Sequence, residues 1–398
     1  MAGQPAVGQA FQWYREGQHA RALEAARRLL EADPSDVNAL HVAGLASARL
    51  GDAAGALDLL ARATALAPAT LPLWLSRGKL LDEAGRPGEA REAFVRAARL
   101  DPASYHAHLE LGLLDAKLAR VREAARSLLR AWRLRAGDVH APRELFDLLL
   151  GHPGEFAAAP APLPAPTDRP AVSVVMCSVD PAKFAAASAS FARAFGGWDH
   201  EIVVFSHDDV EILSADLGGA LARAVERADV VGVIGTAKLT GPAWGWAGRE
   251  PARGRIVQPA REGEGWELLA FGAPCALEAG LEALDGVFLA ARRGQAISVG
   301  FDEAAFDGFH LYDLDFTYRA ARQGLRVAVT PEILLRHDSH GSFDGPWKAY
   351  AQKFVAKFPG LAGPSKPDFA PARLAFATAG EAADLSARLD ALCREERS

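Results

Sequence analysis

Residues Trp74–Pro102 read WLSRGKLLDEAGRPGEAREAFVRAARLDP. Shifted by 34 residues, the same skeleton recurs: Gly44, Gly78 and Gly112; Ala56, Ala90 and Ala124; Ala63, Ala97 and Ala131; Pro34, Pro68 and Pro102. A fixed period of this size marks a repeat architecture, in which each unit buries its apolar face only by stacking on its neighbours. The residue types assign a job to each register. A glycine where the first helix of a unit meets the second lets the two backbones approach. Small residues at Ala22, Ala56, Ala90 and Ala124 let the second helix pack back, and Leu60, Phe94 and Leu128 fill the groove between them. Each proline stops the second helix and pushes the preceding Asp33, Ala67 or Asp101 out of helical backbone. The unit is therefore helix, turn, helix, break, and an ordinary alanine-rich bundle would not bring four registers into agreement.

These positions resemble the tetratricopeptide repeat, with Trp74, Gly78, Ala90, Phe94 and Pro102 matching its pattern best. The first unit has Trp13 and Ala22 but no glycine, and the fourth has Ala136 where the terminal proline would stand, as expected of end units. An all-α solenoid is expected over residues 3–152, with about four repeats and a capping helix at Pro142–Leu150. Such a solenoid presents a groove for a protein or peptide partner and carries no catalytic group.

Composition sets the remaining bounds. A chain of 398 residues has room for two or three domains, and 50% hydrophobic with 24% charged residues is a globular balance. The net charge of -6 gives no basic footprint, so no nucleic-acid partner is expected. Cys177, Cys275 and Cys393 lie far apart without CxxC spacing, so neither a disulfide framework nor a zinc site is expected, and a reducing compartment fits. The N-terminal MAGQPAVGQAF lacks a signal-peptide pattern and no long apolar run follows, so the expectation is a cytoplasmic protein without a transmembrane segment.

Past the repeats, residues 153–170 contain GEFAAAPAPLPAPTDRP, which reads as a semi-rigid proline/alanine linker. The grammar then changes. Val172–Cys177, Glu201–Phe205 and Asp229–Ile234 are short β-branched runs, separated by helical stretches around Lys183–Phe195 and Ala220–Arg227. Strands alternating with helices predict an α/β domain over 171–365 with a mixed, mostly parallel sheet, and a partly helical extension over 366–398. Ligands of such sheets bind beyond the carboxyl ends of strands.

Four segments carry candidate chemistry. Ser206-His-Asp-Asp-Val-Glu211 places Asp208 and Asp209 directly after a strand, as hard oxygen donors for Mg2+ or Mn2+ or as a solvated acidic turn. Asp285-Gly286 opens an apolar strand, a combination suited to a pocket wall with close backbone approach. Gly308-Phe-His-Leu-Tyr-Asp-Leu-Asp-Phe-Thr-Tyr-Arg319 puts Asp313 and Asp315 at the mouth of a helix running to Gly324, where the helix dipole favours negative charge; capping alone or capping with catalysis both fit. His337-Asp-Ser-His-Gly341 follows a strand, and His337 is either a structural histidine or a metal ligand. Trp244 and Trp246 offer a flat face for a sugar ring or ordinary loop packing.

In this order the four segments resemble the family-two-like glycosyltransferases of the GT-A fold, most closely the streptomycin-biosynthesis-type branch, over about residues 171–360. The resemblance implies a nucleotide-sugar donor, an acceptor of unspecified kind and a divalent cofactor, Mn2+ or Mg2+. It implies that Asp209 and His337 bind the metal, that Asp208 assists through ribose or water, and that Asp313 is the base on the acceptor hydroxyl. Asp315, Arg319 and His310 would support that base, while Trp244, Trp246, Asp285 and Gly286 would line the sugar or acceptor pocket. One feature departs from the family pattern: between Cys177 and the HDDV run there is room for a single helix and strand, where members usually carry a further pair that seats the base and ribose. The competing reading is a scaffold whose transferase-like domain has lost donor binding. A phosphohydrolase or nucleotidyltransferase is disfavoured, since no phosphate-cradling glycine loop or catalytic lysine is evident.

Overall fold

The computed structural model describes residues 7–156, 171–177, 200–273, 275–307, 310–341, 343, 345–361 and 371–396. The helix expected around Lys183–Phe195 and most of the proline/alanine linker lie outside the described residues. The chain divides into two compact units, Met1–Leu134 and Arg135–Ser398.

Among the described residues the first unit has eight helices: α1 Val7–Arg15, α2 His19–Ala32, α3 Val37–Arg49, α4 Ala53–Leu66, α5 Leu71–Glu83, α6 Pro87–Leu100, α7 Tyr105–Lys117 and α8 Val121–Leu134. Their starts keep the 34-residue period, with α3, α5 and α7 beginning at Val37, Leu71 and Tyr105. The glycines sit where the spacing placed them. A Cβ on Gly44 would stand 2.9 Å from Leu60, one on Gly78 2.5 Å from Phe94 and one on Gly112 2.7 Å from Leu128. Those are the three groove-filling residues of the second helices. Each proline follows a helix end, and Asp33 and Asp101 are extended (φ −139° and −138°), as the pre-proline position requires. The turn within each unit carries a further register: Gly17, Gly51 and Gly85 take positive φ, and in the fourth unit Ala119 takes φ 55°.

The second unit opens with α9 His140–Gly151 and α10 Pro153–Phe156. Both pack on the C-terminal helix, α15 Ala379–Glu395, where Arg388 donates to the Leu149 carbonyl at 3.0 Å. Seven strands and two helices of this unit are β1 Ala171–Cys177, β2 His200–His207, β3 Val210–Ile212, α11 Leu217–Arg227, β4 Val230–Gly232, β5 Ile234–Thr236, β6 Ala252–Pro259, β7 Trp266–Phe271 and α12 Arg293–Val299. The remaining elements are β8 Glu278–Ala279, β9 Ala283–Leu284, β10 Phe288–Arg292, α13 Tyr312–Arg322, β11 Val327–Val329, β12 Leu335–His337, α14 Gly345–Lys357 and β13 Ala372–Phe376.

One sheet runs β1-β2-β10-β4-β11-β8. It is mixed, as expected, but not mostly parallel: β1/β2 and β4/β11 are parallel, while β10 is antiparallel to both β2 and β4, and β8 is antiparallel to β11. The two-residue alternation of a strand buries both faces. Phe288 and Ala290 of β10 face a core shared with Leu217, Leu221 and Val225 of α11, whereas Leu289 and Ala291 face one shared with Ala296 of α12 and Phe316 and Ala320 of α13. A second sheet, β13-β7-β6-β12-β3, closes the first of these cores with Ile256, Leu269 and Leu335.

The C-terminal segment is integral to this sheet. β13 pairs with β7, α15 starts with a Thr378/Glu381 capping box, and the buried Arg255 of β6 reaches Asp390 (2.5 Å) and Ser386 (2.8 Å) on α15. Cys275 and Cys393 form a disulfide across 118 residues, with Cα atoms 5.0 Å apart. That corrects the expectation of unpaired cysteines. The pairing is invisible in the spacing because α15 returns over the sheet only once the tertiary fold exists. The reducing compartment rested on unpaired thiols and loses that support. Among the described residues no helix is long and apolar enough to cross a membrane.

Three stability changes follow, each read by denaturant unfolding. Gly78→Ala should cost about 1 to 3 kcal/mol, because overpacking against the Phe94 ring outweighs the gain in helix propensity. Ala119→Gly should gain up to about 1 kcal/mol by relieving a left-handed alanine. Cys393→Ser should cost the second unit about 2 to 4 kcal/mol under oxidising conditions and nothing after reduction.

Candidate functional site

The strand pairings gather the four segments. β10 lies antiparallel beside β2 with Phe288 opposite Ser206, so the Asp285-Gly286 turn stands at the end of β2. The Ser206 hydroxyl donates to the Val287 carbonyl at 3.0 Å, and the His207 N–H does so at 3.3 Å. From the other side β12 pairs with β3, placing His337 opposite Val210, and the Asp338 N–H donates to the Asp209 carbonyl at 2.8 Å. Finally the Gly286 N–H donates to Asp313 Oδ2 at 2.7 Å, docking α13 on the turn. Gly286 has no room for a side chain: a Cβ there would stand 2.8 Å from the Asp313 Cβ.

At the centre lies His337 Nε2, with Asp209 Oδ1 at 3.1 Å, the Ser339 hydroxyl at 3.1 Å and His207 Nδ1 at 3.3 Å. His207, Asp209 and His337 each offer one ligand atom, all within 4.8 Å of one another, so the three could hold a metal ion. Asp208 lies outside this group. His207 is the residue that sequence reading passed over. No local pattern singles it out: β2 ends at His207 and β3 begins at Val210, so Asp208 and Asp209 form the bend between two strands, and the β3/β12 pairing is what brings His337 to the end of β2.

Asp285 is held by the Trp244 indole N–H (2.6 Å to Oδ2) and the Val287 N–H (2.9 Å to Oδ1). Trp244 thus spends its polar edge on the site's own carboxylate and its ring on Phe271, edge-on at 5.2 Å. The ring of Trp246 lies 6.0 Å from that of Trp347. The ring of His310 lies 6.1 Å from Tyr350 of α14. Asp315 is almost fully buried and pairs with Arg319 (2.7 Å) and Lys357 (2.5 Å), while Arg319 also donates to the Val299 and Gly300 carbonyls. The hydrogen bonds of Asp315 and Arg319 therefore tie α13 to α12 and α14.

Electrostatics separates the acids. Burial, reinforced by the neighbouring Asp285, pushes the Asp313 carboxyl up to about 7 against the Leu314 and Gly286 N–H groups, although the side chain keeps some accessible surface. Burial would also raise Asp209, but hydrogen bonds from His337 and Ser339 prevail and hold it well below the usual carboxylate range. Burial lowers His207, which favours the neutral imidazole that can act as a ligand. One carboxylate is thus fixed as an anion beside two imidazoles, and another is poised to exchange a proton near neutrality.

Residues 172–358 match the family described as "Glycosyltransferase like family", and residues 71–104 match the tetratricopeptide repeat. The chain thus carries a glycosyltransferase-like domain in its second unit and tetratricopeptide repeats in its first. No curated protein matches it. Among solved structures, MamA is 19% identical over 36% of this chain and 79% of its own, with a TM-score of 0.34. YrrB, titled a TPR protein with an unusual peptide-binding site, is 20% identical over 37% and 76%, with a TM-score of 0.34. The pilF protein of Pseudomonas aeruginosa is 21% identical over 38% and 68%, with a TM-score of 0.35.

The raised Asp313 has a thermodynamic signature. Its folded value of about 7 exceeds the ordinary carboxyl value of 3.8, so the folded protein holds a proton that the unfolded chain has released. The stability this contributes is complete below the unfolded value and is lost as pH rises through about 7. Asp313→Asn should flatten that loss between about pH 4 and about pH 7 in metal-free unfolding curves; equal slopes in the two proteins would mean that the carboxyl titrates normally.

Proposed function

We propose that the second unit transfers a sugar from a nucleoside-diphosphate donor to an acceptor hydroxyl with inversion, and that the repeat array recruits the acceptor or a partner protein. The observation that carries this reading is the meeting of HDDV, Asp285-Gly286, Asp313 and His337 at one sheet edge, within the span that matches the glycosyltransferase-like family.

Asp209 and His337 fit a divalent cation: an anionic oxygen and an imidazole nitrogen lie 3.1 Å apart with Ser339 beside them. A bound cation would supply charge for the departing diphosphate. The chain's own groups do the rest. Asp313, with its value near neutrality, takes the proton of the acceptor hydroxyl as that oxygen bonds to the anomeric carbon. The bond from that carbon to the diphosphate oxygen breaks on the opposite face, and the nucleoside diphosphate leaves. Asp285, clamped by Trp244 and Val287, keeps a second carboxylate next to Asp313 and so raises its basicity. The same clamp positions it for hydrogen bonding to sugar hydroxyls. Asp208 is assigned to ribose or water, and the exposed parts of Trp246 to the acceptor side.

For the first unit, the evenly repeated helix pairs support a groove that binds a peptide or protein segment.

Two substitutions should fail differently. Asp209→Ala should lower metal-dependent donor binding together with turnover. Asp313→Asn keeps size and hydrogen-bonding reach, so calorimetry should find donor binding intact while release of nucleoside diphosphate falls by about 100-fold to 10,000-fold. Wild type that binds no nucleotide sugar with Mn2+ or Mg2+ at millimolar levels would leave the scaffold reading in its place.

A further inference from the structure

We infer that Arg336, on the outer face of the second sheet, is a positioning residue: its guanidinium braces β3 against β12 and so sets Asp209 against His337. The inference rests on the reading of those two residues as cation ligands and gives Arg336 the role of holding them in place.

The need for a brace comes from the fold. Asp209 and His337 are brought together by a ladder of three pairs, Leu335 with Ile212, Arg336 with Glu211 and His337 with Val210. β3 lies at the edge of its sheet, in the order β13-β7-β6-β12-β3. Three residues is the short end of strand lengths, so few backbone bonds hold this register. Strand alternation places Val210 and Leu335 in the core and turns Arg336 and Glu211 to the other face.

On that face the guanidinium is engaged from three directions. Arg336 Nη1 meets Glu211 Oε2 at 2.6 Å across the ladder, while Nε and Nη2 donate to the two carboxylate oxygens of Asp338 at 2.7 and 3.0 Å. Its Cζ lies 4.6 Å from the centre of the Trp266 ring of β7. A planar fork held by two carboxylates and a ring has one orientation, which the point charge of a lysine would not transmit.

Both acids lead to the site. Glu211 stands two residues after Asp209, and Asp338 directly follows His337. The Asp338 N–H donates to the Asp209 carbonyl at 2.8 Å. Arg336 therefore grips the residue whose backbone ties the two segments together, and His337 Nε2 stands 3.1 Å from Asp209 Oδ1.

Magnitude and sign separate this role from simpler ones. The side chains of Arg336, Glu211 and Asp338 are 27%, 36% and 39% exposed, and ion pairs this open to solvent add little to global stability. Loss of the brace should thus be felt locally. As a bare charge, a guanidinium near a cation site repels the cation, so removing it would tighten metal binding. As a brace, its removal loosens the ligands and weakens binding.

The test uses the full chain and Mn2+ without nucleotide, with free Mn2+ read by electron paramagnetic resonance. Arg336→Met should weaken Mn2+ by about 10-fold to about 100-fold, the range for groups that orient a ligand. Its circular dichroism and unfolding midpoint should stay those of wild type. Arg336→Lys keeps the charge but not the fork, and should weaken Mn2+ as well. Because the brace acts through Asp338, adding Asp338→Asn to Arg336→Met should cost no further affinity, whereas independent charges would add. Unchanged or tighter Mn2+ binding in Arg336→Met, or in Arg336→Lys where Arg336→Met does not fold, overturns the inference and leaves the transferase reading standing. Additive losses in the double variant overturn it too. A wild-type chain that binds no Mn2+ removes the cation assignment and the inference with it.

Discussion

The second unit depends on one pairing, β10 antiparallel between β2 and β4. An antiparallel neighbour brings its beginning to the end of the strand beside it. Asp285, Gly286 and Val287, which lead into β10, therefore meet Ser206 and His207, which end β2. A parallel β10 would carry the Asp-Gly turn to the opposite edge of the sheet, a strand length from the histidines. The same pairing lets Gly286 present its N–H to Asp313, so the register of a single strand couples the candidate cation site to the candidate base. The short β3/β12 ladder completes the arrangement by bringing a C-terminal histidine next to Asp209.

The first unit was almost wholly legible because its information is local and repeated. A glycine, its groove-filling partner 16 residues on (Gly78 and Phe94) and a proline 24 residues on (Pro102) fix one helix pair, and the next repeats the instruction. The turn position escaped notice because its residue type changes from glycine to alanine at Ala119 while its backbone does not. In the second unit the short β-branched runs announced strands, but not their order or direction. Those are set by contacts remote in sequence, such as Ala290 with Val204 and Val231.

The site was legible in part for the same reason. Asp209, Asp313 and His337 sit in runs whose position after strands or before a helix was readable. The bond between Gly286 and Asp313 spans 27 residues and that between His207 and His337 spans 130, and no local pattern encodes either. The resemblance implies that Arg319 supports Asp313; in the fold its guanidinium engages Asp315 and the end of α12, contacts that no local pattern announces. The disulfide is the extreme case: nothing near Cys275 or Cys393 in the sequence says that α15 will return over the sheet.

Where α13 begins shows what the fold gives up for this geometry. Leu311 stands at the N-cap with φ 66°, a left-handed conformation that costs a branched residue about 1 to 3 kcal/mol, and its side chain offers no hydrogen bond to the helix end. A serine or aspartate cap would be the stable choice for the helix alone. The leucine is instead buried with Phe306, Leu314 and Phe354, and this apolar anchorage sustains the strain. Turning the chain sharply at Leu311 starts the helix at Tyr312, so that the next residue, Asp313, lies in the first turn against Gly286. The Leu314 and Gly286 N–H groups favour a carboxylate, while burial and Asp285 oppose its ionisation. An ordinary capping residue at 311 would satisfy the helix and compete for the same N–H groups. The strained, uncapped start leaves them to Asp313, and the balance of the two influences holds its proton affinity near neutrality.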